Sequence, residues 1–415
     1  MISNPASRIR PLWFAVALLW AGFAWSAFHS PRPADATPAY ARRFNVDCDV
    51  CHSPNPPRLN NVGMVFRRSG FRLPDADENG KLTLKVLPAH TIGDAMAIAG
   101  QIDGTITEYP DPGASKSAFE LSEVELIAGS SIGDHYSAQM LFIPYNDAGQ
   151  AELENAEFQA NYGKPESQLI LRAGKMQPLV WQKAGHGEMT QSLPLILDET
   201  SPAPIGTFAG PGLGTMLAGA EVGYMATRLN QGHLMSGMVS VAAMNGYNWD
   251  GSDARQHPGN GVDVLAQATA LIGSRNTANV YYYNGNTALD LTNPAPTRDD
   301  FTRYGVTGTY APIERIDLAA GFGGGQDKSA ELGATIKTTG YYGEITGEVM
   351  PRWVATYRYD NVDPNTGSSG DNISDNVVGT TYLLQSAVFL SAEWQELENA
   401  SVKSHGFLAR IRMLY

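Results

Sequence analysis

Asn155-Ala156-Glu157-Phe158-Gln159-Ala160-Asn161-Tyr162 alternates polar and apolar side chains without a break. In an extended chain successive side chains point to opposite faces. Ala156, Phe158, Ala160 and Tyr162 therefore share one face, and Asn155, Glu157, Gln159 and Asn161 the other. The pattern returns at 341–349, where Tyr341, Gly343, Ile345, Gly347 and Val349 alternate with Tyr342, Glu344, Thr346 and Glu348. It returns again at the C-terminus, where Phe407, Ala409, Ile411, Met413 and Tyr415 oppose Arg410 and Arg412. Segments of about ten residues with alternating polarity, parted by turn residues, are the mark of an outer-membrane β-barrel. Lipid touches one face of each strand, and water or a plug touches the other. Composition agrees: Gly is abundant at 43 residues, charged residues make up only 17%, and no segment after residue 90 has the apolar length of a membrane-spanning helix.

The connections carry a second signal. About sixteen strands start near Ala95, Phe119, His135, Ala151, Ser167, Met216, Gly232, Gly261, Thr277, Asp300, Glu314, Thr338, Arg352, Ile373, Ala387 and Lys403. Short turns fall at Gly133-Asp134, 163–166, 273–275, 311–313, Met350-Pro351 and Gln385-Ser386. Long connections, at 110–117, 177–215, 247–260, 286–299, 325–337 and 361–372, lie between them. Bacterial barrels have short periplasmic turns and longer outer loops, and an even strand number returns both ends of the barrel to the periplasmic side. A soluble β-sandwich or solenoid does not predict that alternation. Tyr415 as the last residue resembles the aromatic C-terminal signature of bacterial outer-membrane proteins. The fold class is thus all-β, a transmembrane antiparallel β-barrel over 92–415.

The N-terminal part reads differently. Arg8 and Arg10 precede an apolar run, Leu12 to Phe28, followed by Ala34-Asp35-Ala36. That order is an export signal with its cleavage site, placing residues 1–36 in a leader and the mature start near Thr37. An uncleaved anchor is the competing reading. The chain's two cysteines stand in Cys48-Asp49-Val50-Cys51-His52, the attachment pattern of a c-type haem. Two thiols one helical turn apart can each add to a vinyl group of one porphyrin, and His52 follows as proximal iron ligand. A structural zinc site needs two further ligands, and a thioredoxin-like pair belongs beside a βαβ pattern. A local disulfide is the plain alternative.

Residues 37–91 form a small, mostly helical monohaem cytochrome c segment, too small for an ordinary hydrophobic core. One covalently bound haem c serves as that core. Tyr40, Phe44 and Cys48 share a helical face leading into the motif. Pro54, Pro56 and Pro57 break the chain after it. Leu59 to Ser69 reads as a short helix with Leu59, Val62 and Phe66 on one face and Gly70 as its stop. Met64 is the nearest candidate for the distal haem-iron ligand, with His90 and Met96 behind it and an open or water-bound position as the alternative. His135, His186, His233, His257 and His405 show no ligand spacing.

Residues 36–71, ATPAYARRFNVDCDVCHSPNPPRLNNVGMVFRRSGF, resemble the N-terminal segment of the fused outer-membrane cytochrome–porins of iron-oxidising bacteria. Pro38, Tyr40, Ala41, Arg42, Cys48, Cys51, His52, Pro57, Leu59, Gly63, Phe66, Arg67, Gly70 and Phe71 follow that family's order. Where the family commonly has Phe-Gly-Arg, this chain has Val62-Gly63-Met64. The resemblance implies a protein that takes electrons from extracellular ferrous iron, or another reductant, through the outer membrane. A periplasmic carrier such as a soluble cytochrome or copper protein receives them.

Charge fits a cationic donor. The net charge is −13, and alternation turns Glu157, Glu221, Asp263, Glu344, Glu348 and Glu393 inward. Asp250, Asp253, Asp290, Asp299, Asp363 and Asp371 fall in outer loops, where their field draws cations. Polar, acidic lumens are also ordinary in such barrels. The expected partners are outer-membrane lipid, the carrier and the reductant; nothing points to nucleic acid. Three classes follow: an electron conduit, an outer-membrane diffusion porin with a haem-bearing plug or gate, and a haem sensor or small-molecule enzyme. No His/Arg pair near the motif suggests peroxidase chemistry, which ranks the third class last.

Overall fold

The computed structural model describes residues 39–52, 58–86, 97–111, 114–146, 151–177, 194–196, 216–230, 233–245, 262–288, 298–329, 334–385, 388–399 and 402–414. The leader expected over 1–36 and the candidates His90 and Met96 lie outside them. Two helices come first, α1 (Ala39–Phe44) and α2 (Asn61–Arg68), with a 3-10 turn at Cys48–Val50 between them. A hairpin follows, β1 (Leu73–Ala76) paired with β2 (Leu82–Lys85).

Among the described residues sixteen strands then close into one antiparallel barrel. They are β3 (Ala97–Asp111), β4 (Ala114–Ile132), β5 (Tyr136–Asn146), β6 (Glu152–Lys164), β7 (Ser167–Met176), β8 (Leu217–Asn230), β9 (His233–Asn245) and β10 (Val262–Ile272). β11 (Asn276–Ala288), β12 (Arg298–Ile313), β13 (Ile316–Ser329), β14 (Ala334–Met350), β15 (Trp353–Asp363), β16 (Ile373–Gln385), β17 (Val388–Asn399) and β18 (Val402–Leu414) complete it. Each strand pairs with its sequence neighbours, and β18 returns to β3 with Phe407 opposite Glu108 and Leu414 opposite Gln101. Closure leaves no unpaired sheet edge to face the bilayer. Arg412 seals the seam with hydrogen bonds to both Asp103 carboxylate oxygens at 2.7–3.1 Å.

The alternation holds. Asn155, Glu157, Gln159 and Asn161 are buried in the interior, whereas Phe158 and Tyr162 are exposed on the outside. Tyr341 and Ile345 likewise face out, and Tyr342, Glu344 and Thr346 face in. Outward residues such as Ile106, Leu171, Val222, Val241 and Val280 form an apolar belt on which water has no counterpart to bind. At the short-turn end Tyr136, Tyr162 and Tyr310 stand on the outer surface, the Tyr136 and Tyr162 hydroxyls 3.2 Å apart. This is the aromatic girdle expected where a barrel leaves the hydrocarbon.

Two expectations about connections change. The long loop expected over 110–117 is largely strand, because β3 and β4 stay paired out to Asp111 and Ala114. Likewise β13 runs to Ser329 and β14 begins at Ala334, which shortens the loop expected over 325–337. In both places the backbone pairing runs on toward the strand ends, Asp111 opposite Ala114 and Ser329 opposite Ala334.

The segment 39–86 docks at the short-turn end of the barrel, with α2 and its flanks, residues 58–73, buried against the wall. Asn61 anchors it there: its backbone N–H reaches Ser274 O at 2.7 Å, and its amide reaches Gly273 O and Asn276 O at 2.9 and 3.0 Å. Opposite, the Arg72 guanidinium donates to Gly133 O and Tyr136 O at 2.9 and 3.1 Å. Gln159 and Asn161 donate to the Arg68 carbonyl at 2.7 and 2.8 Å. Two short turns and the end of β6 thus grip the plug through polar groups that would otherwise need water.

Candidate functional site

Cys48, Cys51 and His52 lie together at the 3-10 turn of the N-terminal segment, half-buried, with Asp47 and Asp49 exposed beside them. The expected continuous helical face from Tyr40 to Cys48 is interrupted. Asn45 takes a left-handed φ of 53° and ends α1 at Phe44, so the motif begins a separate turn. Tyr40 and Phe44 still reach the motif from α1. Tyr40 stacks on Phe71 at 5.4 Å, and Tyr40 and Phe44 both meet Phe66 edge-on at 5.2 and 5.6 Å. Cys51, Val50 and Val62 pack against the same group. The result is an apolar, aromatic wall beside the two thiols.

The helix expected over Leu59–Ser69 forms over Asn61–Arg68, because Asn60 caps it by accepting from Gly63 N at 3.0 Å. Leu59 falls outside and pairs with His52 in an isolated bridge. Gly70, with a φ of 69°, provides the expected stop. Asn60 also donates its amide to Asp49 O and Val50 O, both at 3.1 Å, while its N–H bonds Cys51 O at 2.9 Å. One residue therefore caps α2 and holds the motif turn. Gly63 permits this contact, since a Cβ there would fall on Cys51 O.

His52 Nδ1 lies 3.2 Å from Arg58 O. A carbonyl only accepts, so Nδ1 donates and the lone pair sits on Nε2, the tautomer a ligating imidazole needs. Met64 is placed elsewhere: it is buried with Val65 against Ile170, Met225, Leu234, Met238 and Leu271 of the barrel wall. Alternation makes these wall residues inward-facing, an apolar landing site in a lumen expected to be polar.

The thiols are unlike those of a dithiol oxidoreductase, which are acidified. Burial pushes Cys51 up to about 11, with the neighbouring Cys48 acting in the same direction. Burial also raises Cys48, and the Asp47 and Asp49 charges add to it. Half-buried, protonated sulfurs beside an aromatic wall, followed by an oriented imidazole, are a donor set that fits a covalently held haem.

Inward-facing carboxylates are where alternation puts them, but arginines neutralise many of them. Arg172 bonds Glu157 and lies 3.2 Å from Glu221. From the plug, Arg68 reaches Glu221 at 2.8 Å and Arg67 stands 3.9 Å from Glu157. Burial, together with the Arg172 charge and against the pull of Glu221, lowers Arg68 to about 10. Arg58 bonds Glu344 and lies 3.9 Å from Asp317. Arg358 holds Asp360 at 2.7 Å, and Asp263 accepts from the Tyr283 hydroxyl and Asn286 N–H at 2.8 and 3.0 Å. Glu393 is buried, and Glu348 is half-buried near the short-turn end. The expected inward placement holds, and arginines of the plug and of the interior neutralise much of that charge.

Among the described residues no three His, Cys, Asp or Glu side chains converge as metal ligands. Of the outer-loop aspartates, Asp250, Asp253 and Asp290 lie outside the described residues. Asp363 accepts from Asn365 N–H at 3.1 Å in the turn after β15. His186 and His257 lie outside the described residues as well, whereas His135, His233 and His405 sit on strand ends and a turn of the barrel.

No protein-family model matches the chain, and no curated protein does either. Solved structures do. The anion-selective porin of Comamonas acidovorans is 13% identical, with a TM-score of 0.55 over 77% of this chain and 99% of that one. The barrel has the porin fold. OmpT of Vibrio cholerae in its trimer form matches at 12% identity with a TM-score of 0.53, over 77% and 99%. OmpF of Salmonella typhi, in a complex with daunomycin, matches at 12% and 0.51, over 77% and 97%. The closed antiparallel barrel, its apolar exterior and its aromatic girdle place this porin-type chain in the outer membrane, surrounded by lipid.

Proposed function

We propose that this porin-type barrel is an outer-membrane electron-transfer protein whose lumen is occupied by a plug bearing one haem c. The observation that carries the reading is the Cys48–Cys51–His52 turn beside the aromatic wall of the plug, with His52 Nδ1 committed to the Arg58 carbonyl. Cys48 and Cys51 would hold the group through thioethers, and His52 would ligate its iron. A bound haem c supplies one-electron exchange. The chain's own part is to fix that centre, exclude solutes and span the bilayer. Tyr40, Phe44, Phe66 and Phe71 form its apolar wall, and the arginine–carboxylate pairs lock the plug. Met64, the candidate for a second iron ligand, packs against the barrel wall. Ferrous iron is the proposed extracellular donor, supported by the acidic net charge and by the N-terminal resemblance, and a periplasmic cytochrome or copper protein the acceptor.

A diffusion porin with the plug as gate is the second reading, favoured by the likeness of the barrel to porins. Stopped-flow absorbance separates the two. Ferrous iron added to the oxidised protein in detergent should give reduced c-type haem bands, and Cys51→Ala should lose them. A preparation without covalent haem, conducting ions across a planar bilayer, would establish the porin instead.

A further inference from the structure

We propose that Arg58 is a positioning residue that couples the axial histidine of the motif to the barrel wall; this rests on the haem reading of that site. Two ends of the same residue make the link. Its carbonyl takes the His52 Nδ1 proton at 3.2 Å. Its guanidinium is buried, bonded to Glu344 of β14 and 3.9 Å from Asp317 of β13. Both carboxylates are themselves fixed: Thr346 Oγ1 donates to Glu344 at 3.1 Å, and Arg275 lies 3.2 Å from Asp317.

Residues 58–61 are therefore stretched between motif and wall. Arg58 reaches His52 and β13–β14, Asn60 holds the Asp49 and Val50 carbonyls, and Asn61 ties the next link to the β10–β11 turn. The partner of Nδ1 sets the orientation and basicity of the imidazole, and with them the iron's ligand field and potential. Wall and histidine share a covalent strut, so the electronic state of the centre depends on docking. A plug outside the barrel lacks the carboxylates that hold Arg58 in place.

The test uses full-length holoprotein carrying Arg58→Ala, Glu344→Gln or Arg58→Lys. Haem is verified as covalent on a denaturing gel, and the midpoint potential and low-spin EPR signal are then measured. Arg58→Ala and Glu344→Gln should keep the covalent haem but shift both readouts in the same direction, and Arg58→Lys should restore values close to the parent. If Arg58→Ala does not fold, Glu344→Gln decides, since it leaves Arg58 in the chain. Unchanged potential and EPR signal in Glu344→Gln would overturn the coupling while the haem reading stands. Absence of covalent haem from the parent protein would overturn the haem reading itself.

Discussion

Arg68 in α2 and Glu221 in β8 meet at 2.8 Å with both side chains almost wholly withdrawn from solvent. Arg172 shares the same carboxylate from β7, so plug and wall use one network. A buried pair of this kind contributes little net stability relative to an apolar substitute, yet removing one partner strands the other and costs about 3–5 kcal/mol. Arg68→Met leaves Glu221 paired with Arg172, so its cost falls below that range and it should loosen the plug more than it destabilises the barrel. Planar-bilayer recording should show opening bursts in Arg68→Met that the parent lacks, and deletion of 39–86 should leave a permanently open pore.

Asn61 is the plug's anchor to the β10–β11 turn. Asn61→Ala removes two amide hydrogen bonds and leaves the Gly273 and Asn276 carbonyls without that donor. Unsatisfied buried groups cost about 1–3 kcal/mol each. Hydrogen exchange should speed up across 61–69 in this variant and stay unchanged in β14–β16.

Gly63 is a different kind of constraint. Alanine normally favours a helix over glycine by about 1 kcal/mol, but here the added Cβ falls on Cys51 O and within 2.8 Å of Leu59 Cδ2. Gly63→Ala should displace the motif turn and lower the yield of covalent haem, read as haem absorbance per protein. An unchanged yield would mean that the turn can shift freely.

The thiols give a pH prediction. Burial holds Cys51 protonated up to about 11, and alkylation needs the thiolate. In haem-free protein, iodoacetamide labelling of Cys51 should be slow at neutral pH and rise as pH approaches that value. In holoprotein neither Cys48 nor Cys51 should label at any pH, because both sulfurs are thioethers.

Alternation and loop rhythm were enough to read the barrel, because lipid on one side and a polar interior on the other impose a period of two on every strand. Sixteen strands close, and the largest start offset is at β4, which begins at Ala114 rather than Phe119. The plug's attachment was less legible. Arg58 and Glu344 are 286 residues apart, and Asn61 and Gly273 are 212 apart. No local pattern announces such pairs. The landing site for Met64 did leave a trace. β9 reads HLMSGMVSVAAMN, apolar on both faces, with Leu234 and Met238 inward and Val239 and Val241 outward. Burial still alternates along β9, but its inward face is partly apolar as well, and that marks where the plug docks.

The most direct test of an electron-conducting, solute-tight barrel uses liposomes containing the purified protein, oxidised cytochrome c and a small fluorescent dye. Ferrous citrate is added outside. The account predicts reduction of the enclosed cytochrome with the dye retained, and loss of that reduction in Cys51→Ala. Dye escape through the parent protein, with the enclosed cytochrome reduced equally well by Cys51→Ala, would contradict it.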